Sequence, residues 1–252
     1  MTGEAAEPGA SISWKFVAFW PLSFAVPWVI LTFARIAIFS FVQDDGLAYK
    51  AALLLTIPSW FLIAYLQYRL LRPFSRRSRL WLLVTFLGGN LGGFAGGLAQ
   101  LQAMSMLETY AYEKVLISDY DSVIHSDWIF AIAPTASIIA GVFVAAMILS
   151  FFQALCFGGP IGARLQWLLA SALSGIVAAA LGYGCYWGYI WTMFTIYLPA
   201  VAGAGIVPQL ITVAVGLICS TFVYGLLTGA VLRRLLLRSA WRQKEATIAR
   251  FE

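Results

Sequence analysis

Charge is what this chain has least of. Only 11% of its 252 residues are Asp, Glu, Lys or Arg, against about a quarter in a soluble domain. The apolar stretches hold no Asp, Glu or His, and the only histidine, His125, lies between two of them. A two-aspartate protease or an intramembrane proton relay therefore has no components, because such chemistry needs ionisable groups at membrane depth. A serine hydrolase would lack a base within the spans. One histidine cannot make a bis-histidine haem site, and His125 with Asp121 or Asp127 is a poor metal set. Neither a catalytic nor a metal residue is expected, the chain is expected not to be an enzyme, and no cofactor is specified. The three cysteines, Cys156, Cys185 and Cys219, are odd in number and widely spaced, which argues against a disulfide framework or zinc site; they read as small apolar residues. The N-terminal MTGEAAEPGASIS lacks a basic region before a short apolar core, so no cleaved signal peptide is expected.

What is abundant is apolar: 62% of the residues, with continuous runs near or above the roughly 20 residues needed to cross a bilayer. Continuous rather than alternating runs exclude a β-barrel. The expectation is an all-α, polytopic transmembrane bundle of six helices, over about 16–42, 49–71, 80–101, 128–157, 165–186 and 209–232. Residues 1–15 form an N-terminal tail, 16–232 the membrane domain and 233–252 a basic C-terminal tail. Residues 102–127 read as an acidic loop, and 199–208 as a Pro- and Gly-rich connection.

The net charge of +5 is distributed by side. Lys15, Arg69, Arg72, Arg76, Arg77, Arg79, Arg164 and the six basic residues of the tail share one face. The opposite loops hold only Lys50 and Lys114 beside seven acidic residues. The positive-inside rule then puts both termini in the cytoplasm. The basic excess is topological, with anionic lipid headgroups as its natural contacts, and nucleic acid is not an expected partner.

Within the third span, LGGNLGGFAGGL sets six glycines in two adjacent rows: Gly88, Gly92, Gly96 and Gly89, Gly93, Gly97. Residues four apart stack on one helix face. Six interior glycines would cost about 1 kcal/mol each in a soluble helix; in lipid the backbone stays helical, and the bare face admits a second helix.

A shift of 86 residues lays spans two and three on spans four and five. Gln67 meets Gln153, Trp81 meets Trp167, Gly89 meets Gly175 and Gly96 meets Gly182, while Ser174 and Ala178 replace Gly88 and Gly92. Span six carries Gly225 and Gly229 before Leu232-Arg233, as span two ends in Leu71-Arg72. Parallel two-helix repeats are expected, with a third, fainter copy split between spans six and one. Arg35, Gln67, Asn90 and Gln153 are the polar residues open to a site. Their structural alternatives are snorkelling of Arg35 toward Asp44 or Asp45, interhelical bonding of the amides and an aromatic belt for Trp81 and Trp167. Thr85, Ser171 and Thr228 complete the polar set, with Gln100, Gln166, Gln209 and Thr212.

The sequence of Gln, a short turn, Trp-Leu-Leu and small-residue rows over residues 65–100 and 150–185 resembles a loose group of uncharacterised bacterial multi-pass membrane proteins, common in cyanobacteria. Those proteins repeat a glutamine–tryptophan hairpin with a glycine-rich second helix. Tyr68 and Ala154 stand after the glutamines where that group often has tryptophan. The resemblance implies a fold and a bacterial inner or photosynthetic membrane, and no activity. The functional expectation is a non-catalytic membrane subunit, a scaffold, assembly or accessory component packing with other subunits or with itself. A small-molecule or ion transporter with a path near the repeated spans is the alternative. An enzyme acting on lipids through Arg35 or the acidic loop is the weakest reading.

Overall fold

The computed structural model describes residues 12–42, 44–75, 77–115, 123–157, 161–201 and 206–248. Eight helices make up these segments: α1 (Trp14–Phe19), α2 (Leu22–Phe41), α3 (Asp45–Leu54), α4 (Thr56–Leu71), α5 (Ser78–Val115), α6 (Val123–Ala154), α7 (Ile161–Val201) and α8 (Ile206–Ile248). There is no strand among the described residues. Among the described residues six stretches are long and apolar enough to cross a membrane: Trp14–Phe41, Gly46–Leu71, Ser78–Leu107, Thr135–Ala154, Ile161–Cys185 and Ile218–Arg238.

Two of those six are each made of two helices, and proline explains both joints. Pro21 has no N–H to continue α1, and the Ser23 hydroxyl donates to the Trp20 carbonyl at 2.6 Å. Pro58 likewise leaves the Leu54 carbonyl without its i+4 donor. The ladder next to it is stretched, with Ser59 N to Leu55 O at 3.4 Å, and the Ser59 hydroxyl adds a bond to Leu55 O at 2.9 Å. Asp44 caps α3 by accepting from the Leu47 amide at 2.8 Å. Ser13 caps α1 through the Lys15 amide at 3.2 Å.

The helices outrun their expected ends. Residues 102–115 contain no Gly or Pro, so α5 continues as helix through Val115 where the sequence suggested a loop from residue 102. For the same reason α8 runs through the basic tail to Ile248. The connection expected at 199–208 is shorter, since α7 reaches Val201 and α8 begins at Ile206.

Packing closes the helices into a ring. α4 packs on α5, α5 on α6, α6 on α7, α7 on α8, α8 on α1 and α2, and α2 on α4. At one end Ile12, Phe74, Phe157 and Leu235 belong to a single apolar cluster. The start of α1, the α4–α5 and α6–α7 turns and the middle of α8 therefore meet there.

The outward faces are apolar. On α5, Leu83, Leu87, Leu91, Phe94, Leu98 and Leu101 are exposed at steps of three and four, and on α7 Leu165, Leu169, Leu173, Val177 and Leu181 are exposed at steps of four. On α5 Gly88, Gly89, Gly92 and Gly96 are buried and Gly93 and Gly97 exposed, while the leucines face out, the reverse of a water-soluble helix. Such a surface is matched to lipid, where no water penalises it. The chain is an integral membrane protein by this surface and by its six apolar spans.

Candidate functional site

The inner faces meet backbone to backbone where glycine permits it. A methyl on Gly92 would lie 2.7 Å from the Ala145 carbonyl oxygen, one on Gly96 2.5 Å from the Gly141 oxygen, and one on Gly88 2.9 Å from Phe152 Cβ. This row forms the α5–α6 seam. The second row diverges along its length. Gly89 lies under the Trp60 ring, Gly93 would only touch Trp60 Nε1 at 3.5 Å, and Gly97 would meet nothing within 4 Å. Two rows one residue apart point about 100° apart on a helix, so one neighbouring helix cannot cover both along their whole length.

The other small residues fill equivalent seams. Gly175 faces Ala146 across α6–α7, and Gly182 faces Ser220 and the Gly216 oxygen across α7–α8. Ser174 and Ala178 are buried. Gly225 sits against Pro21 and Gly229 against Trp20, so the first and last spans join without a covalent link.

At the turn-bearing end the ring encloses polar side chains. Gln67 and Gln153, 0% and 1% exposed, are brought together from α4 and α6. Gln67 Oε1 accepts from Trp81 Nε1 at 2.8 Å and from Gln153 Nε2 at 3.4 Å. Gln153 Nε2 also donates to Thr85 Oγ1 at 3.0 Å. Trp20 Nε1 donates to Thr228 Oγ1 at 3.3 Å, and Thr228 in turn donates to the Tyr224 carbonyl at 2.7 Å. Ser171 and the Tyr224 hydroxyl share a hydrogen bond at 2.5 Å.

The three tryptophans stack edge to face across this centre. Ring centroids are 6.0 Å apart for Trp20–Trp81 and 5.7 Å for Trp81–Trp167, within the favourable range for aromatic pairs. Phe157 closes against both Trp81 and Trp167. The sequence suggested a lipid–water belt for Trp81 and Trp167; they are instead 3% and 1% exposed, because their rings pack on each other and on Phe157, and Trp81 also turns its N–H to Gln67. Two donors in this core, Gln67 Nε2 and Trp167 Nε1, have no acceptor.

Of the four polar residues singled out from the sequence, only the glutamines converge. Asn90 Nδ2 donates to its own helix at Phe86 O, 2.8 Å away. Arg35 Nε lies 3.4 Å from the Ala52 carbonyl, near the Pro58 joint, while Asp44 is engaged as a helix cap. Thr85, Ser171 and Thr228, noted as polar, all take part. Trp20 and Tyr224 were not singled out. A signal for Trp20 existed: Thr228 precedes Leu232-Arg233 by four residues as Gln67 precedes Leu71-Arg72, so Thr228 takes the glutamine's place and calls for a tryptophan partner.

Amide, indole and hydroxyl groups exchange hydrogen bonds and hold no titrating proton near neutral pH, so this centre can fasten helices or contact a neutral polar molecule. Among the described residues no three His, Cys, Asp or Glu side chains converge; the side chains of His125, Asp121 and Asp127 lie outside those described. Fold and centre together define a polytopic helical membrane protein with a hydrogen-bonded aromatic core. Beyond that class, no family model, no curated protein and no solved structure matches the chain.

Proposed function

We propose that this protein is a non-catalytic integral membrane subunit, a scaffold, assembly or accessory component that offers its outer apolar faces to other subunits or to a second copy. The observation that carries this reading is the pairing of Gln67 with Gln153 and Trp81. The side chains best suited to line a path are spent on holding α4, α5 and α6 together. Both termini lie in the cytoplasm, following the basic residues of the turns, in a bacterial inner or photosynthetic membrane as the family resemblance implies.

The ring is built in this reading from three parallel two-helix units: α3–α4 with α5, α6 with α7, and α8 with α1–α2. Trp81 on Gln67 in the first unit and Trp20 on Thr228 in the third support it. The closed order of packing supports it as well.

Purification in a mild detergent tests the function. A second membrane protein, or a further copy, is expected at fixed stoichiometry, and to be lost in Gly92→Leu. A chain that purifies alone as a monomer and carries solute flux in proteoliposomes overturns the reading. That outcome would favour the alternative, a small-molecule or ion transporter, for which the two unpartnered core donors Gln67 Nε2 and Trp167 Nε1 speak.

A further inference from the structure

The three cysteines look unrelated by spacing, yet the α7–α8 seam brings two of them together. Near the turn-bearing end of this antiparallel pair, Arg238 Nη1 reaches Gln166 Oε1 at 3.4 Å. Cys185 lies 19 residues along α7 from Gln166, and Cys219 lies 19 residues back along α8 from Arg238. At 1.5 Å per residue both are about 28 Å from that contact, so they share one level. At the neighbouring turn the helices approach closely: a methyl on Gly182 would fall 2.6 Å from Ser220 Cβ and 2.7 Å from the Gly216 oxygen. Glycine at 182 and 216 thus removes the bulk that would otherwise hold residues 185 and 219 apart. Cys185 is the neighbour that Cys219 interacts with across the seam. Both are free thiols, Cys185 exposed and Cys219 partly so.

We infer that Cys185 and Cys219 form a disulfide that staples α7 to α8 about 28 Å from the basic turns. A level about 28 Å from the basic end is close to the far side of a roughly 30 Å hydrocarbon layer. With the basic end cytoplasmic, that level lies on the side of the compartment where disulfides persist. The oxidising surroundings follow from the orientation proposed above, on which the disulfide therefore rests. The oxidant is a disulfide-bearing exchange partner, a dithiol oxidoreductase or glutathione disulfide. The more exposed Cys185 thiolate attacks one sulfur of that disulfide and expels the other as a thiolate. Cys219, deprotonated, then attacks the Cys185 sulfur and expels the second. Two protein thiols lose two electrons, the partner's disulfide gains them, and the two thiol protons end on the partner's sulfurs.

Cys156 supplies the contrast. It is buried at the basic end, and burial pushes its thiol up to about 12, against the opposing pull of the Arg77 charge. It is not expected to take part.

The experiment counts thiols in the full chain. Cells are quenched in acid, free thiols are blocked with N-ethylmaleimide, and the protein is then reduced and treated with a polyethylene-glycol maleimide. Two added polymer chains are expected on the native protein, two on Cys156→Ser, and none on Cys185→Ser or Cys219→Ser. No addition to the native protein overturns the disulfide, and a second step locates the failure. If the detergent-purified protein closes within minutes under glutathione disulfide, the seam is right and the orientation is wrong. If it stays open, the thiols do not meet, and the orientation is untouched.

Discussion

Replacing Gly92 by alanine adds one methyl group, and the seam leaves no place for it. That carbon would sit 2.7 Å from the Ala145 carbonyl oxygen. The obstacle is backbone, which cannot rotate aside, so α5 and α6 must separate by several tenths of an ångström along the whole contact of Gly88, Gly92 and Gly96. Overpacking of this kind costs about 1–3 kcal/mol. For a chain of this length that corresponds to a fall of roughly 2–10 °C in the unfolding midpoint. Gly97→Ala adds the same methyl to the same helix just over one turn away, where nothing lies within 4 Å. It removes a poor helix former worth about 1 kcal/mol in water, so its midpoint is expected to hold or rise. The assay is thermal unfolding of both variants in one detergent, followed by tryptophan emission. Equal destabilisation by the two variants, or a larger loss in Gly97→Ala, would refute the assignment of the two glycine rows.

Other expectations test the core. Gln67→Leu removes the acceptor of Trp81 Nε1 and Gln153 Nε2, and leaving a buried donor unpaired costs about 1–3 kcal/mol; the unfolding midpoint should fall and Trp81 emission should change, whereas a wild-type midpoint and spectrum would deny the bond. Thr228→Val keeps the shape while removing the partner of Trp20, so a smaller loss, about 1 kcal/mol, is expected in the same melt, with none if the two ends of the chain do not meet there. Cys156 should react with a maleimide at pH 8 at least a hundredfold more slowly than a free thiol, because burial holds its titration near 12 and only the thiolate reacts. The sign is that of a thiol kept neutral in the folded state. Above the ordinary thiol range the unfolded chain ionises and the folded one does not, so folding loses stability as pH rises past about 9.

Much of the architecture was legible. Long apolar runs announced the six spans because a bilayer demands them whatever the packing. The contact of Gly88, Gly92 and Gly96 with α6 was legible as a bare face, but not its limit to one row. Spacing marks both rows alike, and only the placement of the neighbouring helices decides that Gly97 is left open. Gln67 and Gln153 could be paired from their common offset. The inward turn of Trp81 and Trp167 could not be read, since a tryptophan near a span's end suits a headgroup belt equally well. The ends of α5 and α8 were not legible, because polar composition alone does not stop a helix. Residues 102–115 and 233–248 lack the Gly or Pro that would do so. Cys185 and Cys219 are far apart in sequence, and only the register of α7 on α8 brings them level.

The central claim is that the polar side chains inside the ring bond one another rather than water. Exchange of the indole N–H protons of Trp81 and Trp20 into heavy water measures this directly, by nuclear magnetic resonance of the protein in a lipid nanodisc with each signal assigned by Trp→Phe replacement. Protection lasting hours to days is the predicted result. Exchange of both protons within minutes would mean that water reaches Gln67 and Thr228, and would contradict the closed, hydrogen-bonded core.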